Sequence, residues 1–194
     1  MDPTPTRQRI IDAADDLFYR QGFEHTSFAD IAASVGLSRG NFYYHFKTKD
    51  DILDAVIVKR LADTRALLDQ WEFAGRNPAD RIRAFIHILI ANQAKIMAHG
   101  CPVGTLCAEL SKLDHGAQDQ ANRLFTLFRT WLARQFALLG RDDGDDLALH
   151  LLALSQGVAT LANAFRDKAF VDREVRRMEA WLDASLADAT PAPI

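Results

Sequence analysis

Long polar and aromatic side chains are concentrated in residues 38–46, at a density that a helix packed only in a core would not need. Arg39 can donate two parallel hydrogen bonds to guanine, and Asn41 can exchange two with adenine. Tyr43 and Tyr44 offer rings to thymine methyl groups and hydroxyls to phosphates. These residue types predict a surface that reads DNA.

The surrounding residues predict a short helix, a turn and a second short helix that present this surface. Two helix starts are marked by a hydroxyl three residues before a carboxylate, in the pairs Ser27 with Asp30 and Thr48 with Asp51. Gly36 can adopt the left-handed conformation that ends a helix, and Ser38 can cap the next one. The turn is then about three residues long, as in a helix-turn-helix unit.

Residues 38–49, with the sequence SRGNFYYHFKTK, carry a family resemblance. This run resembles the DNA-binding motif of the tetracycline-repressor (TetR/AcrR) family, with the glycine, tyrosine, His-Phe and lysine positions where that family has them. The resemblance implies a helix-turn-helix DNA-binding domain in residues 1–47. It also implies a ligand-binding and dimerisation domain in residues 48–189, and residues 190–194 are predicted to form a frayed tail.

Helical patterning continues along almost the whole chain, with no alternation typical of β-strands. We therefore predict an all-α fold of nine helices, the first three of which form the DNA-binding domain. A long fourth helix from Thr48 to about Phe73 would link this domain to the rest. A single fifth helix is predicted from Pro78 to about Ala98.

By resemblance, the DNA contacts fall on a defined set of residues. Ser27, His45 and Lys49 are predicted to contact the DNA backbone, although His45 alternatively only closes its helix. Phe42 and Phe46 are predicted to lie in the core. The predicted DNA-binding set is Thr26, Ser27, Ser38, Arg39, Gly40, Asn41, Tyr43, Tyr44, His45 and Lys49.

Net charge limits how this DNA-binding domain can work. The whole chain carries a formal charge of −3, and residues 1–50 contain six basic and seven acidic side chains. Because few phosphates can be neutralised by one subunit, non-specific attraction to DNA is weak. Tight binding to an operator then requires two subunits.

The last two predicted helices, about Asp145 to Arg166 and Val171 to Ala187, favour self-association. The first of them is apolar on two faces, one with larger and one with smaller side chains, and must be covered on both. The resemblance implies a homodimer that forms a four-helix bundle from these helices. The alternative is a monomer that buries both faces internally.

Two glutamines on otherwise apolar helix faces indicate where a small molecule could bind. Gln93 and Gln156 are either satisfied core amides or the polar contacts of a cavity for an aromatic or amphipathic molecule. The predicted ligand-binding set is Gln93, Met97, Cys101, Leu106, Phe125, Phe128, Trp131, Gln156 and Thr160.

The segment from Gly100 to Leu110 has a cysteine directly before a proline that can begin a helix. It resembles the Gly-Cys segment at the start of the sixth helix in a subset of TetR-family repressors, some of which respond to electrophiles and others to flavonoid-like aromatics. The helix N-terminus can stabilise a Cys101 thiolate, which makes this residue a candidate sensor. The alternative is a small residue in a tight turn, and Cys107 is predicted to be a packing residue.

These observations predict a DNA-binding transcriptional regulator, by resemblance a repressor that a small aromatic or electrophilic molecule releases from a palindromic operator. The alternatives are a cysteine-based redox sensor on the same scaffold and a helical ligand-binding module without DNA activity. No catalytic or metal-ligand spacing and no cofactor motif is present, so we predict neither an enzyme nor a cofactor. No run approaches a membrane span, and we expect a cytoplasmic protein.

Overall fold

The computed structural model describes residues 5–187, and within them every regular element is an α-helix. The predicted all-α class is therefore confirmed. The helices are α1 (Pro5–Gln21), α2 (Phe28–Ser34), α3 (Arg39–His45), α4 (Lys49–Ala74), α5 (Pro78–Ala91), α6 (Gln93–His99), α7 (Pro102–Lys112), α8 (Gln118–Leu138), α9 (Gly144–Phe165) and α10 (Lys168–Ala187). The predicted tail, residues 190–194, lies outside the described residues.

The predicted fifth helix is divided in two at Asn92. The Asn92 side chain donates from Nδ2 to the Ile88 carbonyl at 3.2 Å, which competes with continuous helical bonding. The nine predicted helices thus correspond to ten helical segments in the described part of the chain. The helix that begins with the Gly-Cys segment, sixth in the predicted order, is α7.

Contacts between residues divide the chain into two compact units. The N-terminal unit comprises residues up to Thr64 together with Pro102–Leu124, and the C-terminal unit comprises Arg65–Cys101 and the residues from Phe125 onward. The predicted domain boundary between residues 47 and 48 falls inside the N-terminal unit. It stays a prediction about function, because the contacts place the first part of α4 and all of α7 with the DNA-binding helices.

The N-terminal unit is built around the apolar face of α1. Ile10, Ile11, Ala14 and Phe18 recur at helical spacing and are buried. Helix α1 contacts both α2 and α7. Helix α2 of the helix-turn-helix and helix α7 therefore pack against the same helix, α1.

The C-terminal unit packs α9 against α5, α6 and α10. The smaller-residue face of α9 is buried within the unit, with Ala148, Ser155, Ala159 and Ala162 at most 4% exposed. Leu149, Leu161 and Phe165 are exposed instead. Helix α9 is also the one described helix long and apolar enough to cross a membrane by length and composition.

Candidate nucleic-acid interface and ligand site

The turn between α2 and α3 is held by local hydrogen bonds. The Ser27 hydroxyl accepts from the Asp30 N–H at 3.1 Å, and the Asp30 carboxylate accepts from the Ser27 N–H at 2.9 Å, which completes a capping box. Gly36 has a φ of +66°, the left-handed conformation expected of it. The Ser38 hydroxyl accepts from the Asn41 N–H at 3.5 Å and caps α3.

Hydrogen bonding also sets the protonation of the capping carboxylates. The hydrogen bonds with the Ser27 side chain and then its backbone N–H hold the pKa of Asp30 below its usual value, against a smaller opposing effect of desolvation. Thr48 has the same effect on the pKa of Asp51 at the start of α4. Both caps are therefore made by charged carboxylates at neutral pH.

Helix α3 has one buried and one exposed face. Phe42 is fully buried and Phe46 is 3% exposed, which confirms both as core residues. Tyr43 is 47% and Tyr44 79% exposed, and Asn41 is exposed beside them. Arg39 begins the helix, but its side chain lies outside what the structure describes.

Gly40 lies on this exposed face where no packing explains a glycine. Nothing in the described structure comes within 4 Å of the position that a Cβ would take. Its backbone conformation is one that any residue can adopt, since its φ is not in the left-handed region. The missing side chain leaves room for another molecule to approach the backbone closely.

The structure corrects the prediction for Thr26. Its side chain is fully buried, and its hydroxyl donates to the Gly22 carbonyl at 2.6 Å and accepts from Gln21 Nε2 at 3.2 Å. A side chain enclosed in this way closes the turn after α1 and is not available to DNA.

Lys49 has a role inside the N-terminal unit. Its ammonium donates to the Phe23 carbonyl at 3.0 Å and lies 4.2 Å from the centre of the Phe23 ring. Its predicted contact with phosphate stays a prediction. Ser27 and Ser38 are exposed at their caps, and His45 is half-buried at the end of α3, with its ring against that of Tyr44.

A groove between α8 and α9 is the candidate ligand site in the C-terminal unit. It has a volume of about 360 Å³, and its lining comprises Phe125, Thr126, Arg129, Leu149, Leu152, Ala153 and Gln156. This volume is within the range for small-molecule sites. At its edge, Gln156 Nε2 donates to Cys101 Sγ at 3.5 Å.

The other predicted ligand residues do not join this groove. Gln93 is buried, and its Nε2 donates to the Lys168 carbonyl at 3.1 Å and to Asp172 Oδ1 at 3.2 Å, so it is a satisfied core amide that joins α6 to α10. The Met97 carbonyl accepts from Asn163, and Thr160 is exposed. Leu106 is buried in the N-terminal unit.

Phe128 and Trp131 belong to an aromatic cluster on another part of α8. The Trp131 ring lies 5.6 Å from that of Trp71, and the Phe128 ring lies 5.6 Å from that of Phe85. Trp131 Nε1 is buried without a hydrogen-bond partner, the one such side-chain atom in the described residues. The predicted set therefore separates into a groove, a helix-to-helix bond and an aromatic cluster.

Comparison with known proteins identifies the family. Residues 10–56 match the family model described as bacterial regulatory proteins, tetR family. The chain is 42% identical over 191 residues to the probable HTH-type transcriptional regulator ArpR of Pseudomonas putida, covering 93% of this chain and 90% of that protein. The chain belongs to the tetR family of bacterial regulatory proteins.

Two further comparisons agree with membership of the TetR family. The chain is 26% identical over 156 residues to the HTH-type transcriptional repressor DhaR of Mycobacterium sp. strain GP1, covering 77% of this chain and 76% of that one. A crystal structure of a TetR transcriptional regulator from Legionella pneumophila superimposes with a TM-score of 0.81 at 24% identity, covering 95% and 99% of the two chains. The latter shows a shared fold.

Two residues outside the predicted sites form hydrogen bonds between parts of the N-terminal unit that are distant in the sequence. Glu109 of α7 accepts from the Phe23 N–H at 3.0 Å and from the Glu24 N–H at 2.9 Å. Arg60 of α4 contacts both α1 and the first residue of α7. Each has partners at least 42 residues away, so no local sequence pattern marks them.

Regulators of the TetR family bind operators as dimers, and α9 of this chain has exposed apolar side chains. Gly157, Leu161 and Phe165 are exposed on this helix outside the groove. Nothing described in the protomer lies within 4 Å of the Cβ position of Gly157. A glycine in the middle of a helix costs stability, and here it leaves space for close approach by another helix.

Proposed function

We propose that this TetR-family protein is a ligand-inducible repressor that binds a palindromic operator as a homodimer. The observation that carries the proposal is the exposed face of α3, where Asn41, Tyr43 and Tyr44 project and Gly40 leaves the backbone open. Asn41 and Arg39 supply base-edge hydrogen bonds in the major groove, and the tyrosines contact thymine methyl groups and phosphates.

Dimerisation through α9 and α10 supplies what one subunit lacks. Residues 1–50 carry more acidic than basic side chains, so a single DNA-binding domain gains little from phosphate attraction. Two DNA-binding domains held one helical turn of DNA apart contact two half-sites at once, so the base contacts of both subunits contribute to affinity. The exposed apolar face of α9 supports this arrangement.

The groove between α8 and α9 is the proposed effector site, and a small aromatic or amphipathic molecule is the proposed effector. Phe125, Leu149 and Leu152 give it an apolar lining, and Gln156 gives it an amide. Release from DNA follows if the effector binds a conformation with the wrong spacing between heads more tightly than the DNA-binding one. The protein acts in the cytoplasm and has no catalytic role in this proposal.

A second candidate is electrophile sensing by Cys101, and it rests on one contact. Gln156 donates a hydrogen bond to Cys101 Sγ, and Cys101 directly precedes α7, so both an amide N–H and a helix N-terminus are available to a thiolate. Addition to a quinone would break the thiol S–H bond and a ring C=C π bond and form one C–S bond. The thiol proton goes to one quinone oxygen, and the ring proton at the attacked carbon shifts to the other, so the product is a hydroquinone thioether. A Cys101→Ser variant that still released DNA fully with a quinone would exclude this candidate.

A binding titration with the DNA upstream of the protein's own gene tests the main proposal. Tyr44→Ala should weaken binding by about 1 to 3 kcal/mol, since an exposed base-reading contact is lost. Phe73→Ala is the matched control, because Phe73 is an aromatic residue 95% exposed in the C-terminal unit. Equal affinity of wild type and Tyr44→Ala would contradict the role of Tyr44, and no binding to this DNA or to that of neighbouring genes would favour a ligand-binding module without DNA activity.

A further inference from the structure

Arg60 is a buried cation held by two partners from different parts of the chain. Its side chain is 10% exposed. Nε donates to Asp15 Oδ1 of α1 at 2.7 Å, and Nη1 donates to the carbonyl oxygen of Pro102, the first residue of α7, at 2.7 Å. Both are short charge-assisted or ion-to-dipole bonds in a site with little water to replace a lost acceptor.

On the DNA-binding side, these bonds reach the helix-turn-helix through α1. Asp15 lies on α1, and Arg9 on the same helix donates from Nη2 to the Val35 carbonyl at 2.9 Å, at the end of α2. The position of α1 is thereby tied to the turn that precedes the reading helix α3.

On the side of the proposed effector site, Pro102 lies where the chain passes from the C-terminal unit to the N-terminal unit. The chain leaves the C-terminal unit at Cys101 and enters the N-terminal unit at Pro102. Within the C-terminal unit, Cys101 Sγ accepts a hydrogen bond from Gln156, which lines the groove between α8 and α9. Cys101, which Gln156 contacts, thus directly precedes the residue whose carbonyl accepts from Arg60.

We propose that Arg60 is the positioning residue that couples the Cys101–Pro102 junction to α1, so that displacement of the Pro102 carbonyl moves the DNA-binding helices. This inference rests on the proposed function and adds a route for its regulation. The buried guanidinium cannot keep both acceptors if one moves, so the arrangements at Pro102 and at Asp15 change together. Allosteric couplings of this kind change affinity by about 5-fold to 150-fold.

Lys59 provides a matched control because it shares Asp15 with Arg60 while its other carboxylate partners, Asp12 and Asp63, lie on α1 and α4 and not on α7. Its ammonium lies 3.0 Å from Asp15 Oδ2 and 2.8 Å from Asp63 Oδ2. Burial opposes its charge, but the hydrogen bonds to Asp63 and Asp15 outweigh this and raise the pKa of Lys59. Lys59→Gln removes a cation beside Asp15 and leaves the bond to Pro102 in place.

The experiment uses N-ethylmaleimide as a defined perturbation at Cys101, in a Cys107→Ala background, with adduct formation quantified by intact mass. The adduct on otherwise unchanged protein should lower DNA affinity about tenfold and speed amide hydrogen exchange in α1. In Arg60→Lys the same adduct should change affinity less than about twofold and leave α1 exchange unaltered. Lys59→Gln should respond as the parent does, and Asp15→Asn, which keeps the shape of the side chain, should be uncoupled like Arg60→Lys.

Each outcome decides a different point. An adduct effect of equal size in the parent and in both Arg60→Lys and Asp15→Asn would overturn the role of Arg60. No effect of the adduct on affinity or on α1 exchange in the parent would overturn the coupling and leave the DNA-binding proposal standing. If unmodified protein binds no DNA, the proposed function fails, while hydrogen exchange in α1 still accepts or rejects the coupling.

Discussion

Two glycines in the DNA-binding helices look alike in the sequence and differ in what they do. Gly36 has a φ of +66° and ends α2, whereas Gly40 lies in the first turn of α3 without a left-handed conformation. Among the described residues, apart from the chain neighbours and the helix's own backbone, neither has an atom within 4 Å of its Cβ position. Only the backbone at Gly36 needs a glycine, and no described packing accounts for the glycine at position 40.

Gly40→Ala should therefore separate stability from DNA affinity. We expect unfolding by urea to become harder by up to about 1 kcal/mol, since alanine favours a helix over glycine. Affinity for the operator should fall, because the new methyl group meets the DNA backbone. Gly36→Ala is the control and should lose stability through its left-handed φ. A Gly40→Ala protein that binds DNA as tightly as wild type would contradict a close approach at this position.

The residues that sequence alone placed well are those with local partners. Ser27, Ser38 and the burial of Phe42 followed from spacing within one turn or one helix face. Thr26 was wrong as a DNA contact because its partner, the Gly22 carbonyl, depends on how the chain leaves α1. Gln93 could not be assigned from the sequence, since its acceptors lie on α10, 75 and 79 residues away.

At the scale of elements, the start of α4 depends on one carboxylate. Asp51 Oδ2 accepts from the Thr48 N–H at 2.9 Å and from the Lys47 N–H at 3.2 Å, and Thr48 Oγ1 accepts from the Asp51 N–H at 3.0 Å. These bonds fix the angle at which the chain leaves α3 and enters the long helix. The sequence predicted this cap from the Thr48 and Asp51 spacing.

The depressed pKa of Asp51 gives this cap a defined pH dependence. Its hydrogen bonds with Thr48, first from the side chain and then from the backbone, are the main causes, and desolvation opposes them. Because the folded pKa is below the unfolded one, the stabilisation is fully present above about pH 4 and is lost as pH falls through the folded value. Asp51→Asn should thus lower the melting temperature at neutral pH, with the difference from wild type vanishing in acid.

Melting curves recorded from about pH 2 to pH 7 check this expectation. Asp54→Asn is the control, since Asp54 is exposed further along α4 and caps no helix start. A constant difference between Asp51→Asn and wild type across the whole range would show that the carboxylate charge does not support the cap.

At the scale of the whole molecule, α9 has apolar side chains that the described part of the protomer leaves exposed. Leu161 is 43% and Phe165 71% exposed. The sequence predicted a helix with two apolar faces but did not say which face is covered within the protomer, and the smaller side chains are buried where α9 packs against α5, α6 and α10. Which apolar face stays exposed depends on the helices packed against α9, and these cannot be predicted from the periodicity of its own sequence.

Gly157→Ala should test whether a second protomer covers this face. The substitution should favour the monomer's helix by up to about 1 kcal/mol but weaken the dimer, because the methyl group fills the space that a partner helix would use. Sedimentation equilibrium measures the dissociation constant directly. Gly116→Ala is the control, as that glycine also has open space but lies in the N-terminal unit. An unchanged or tighter dimer in Gly157→Ala would place the interface elsewhere.

The return of the chain into the N-terminal unit at Pro102 has a consequence for how the protein is made. Glu109 holds the Phe23 and Glu24 N–H groups, and a side chain at Gly22 would come within 2.9 Å of its carboxylate. During synthesis, α7 must leave the ribosome before Glu109 can accept the hydrogen bonds from the turn after α1. A chimera that transplants residues 1–47 onto another sensor therefore leaves that turn incomplete unless residues 102–124 are transplanted with it.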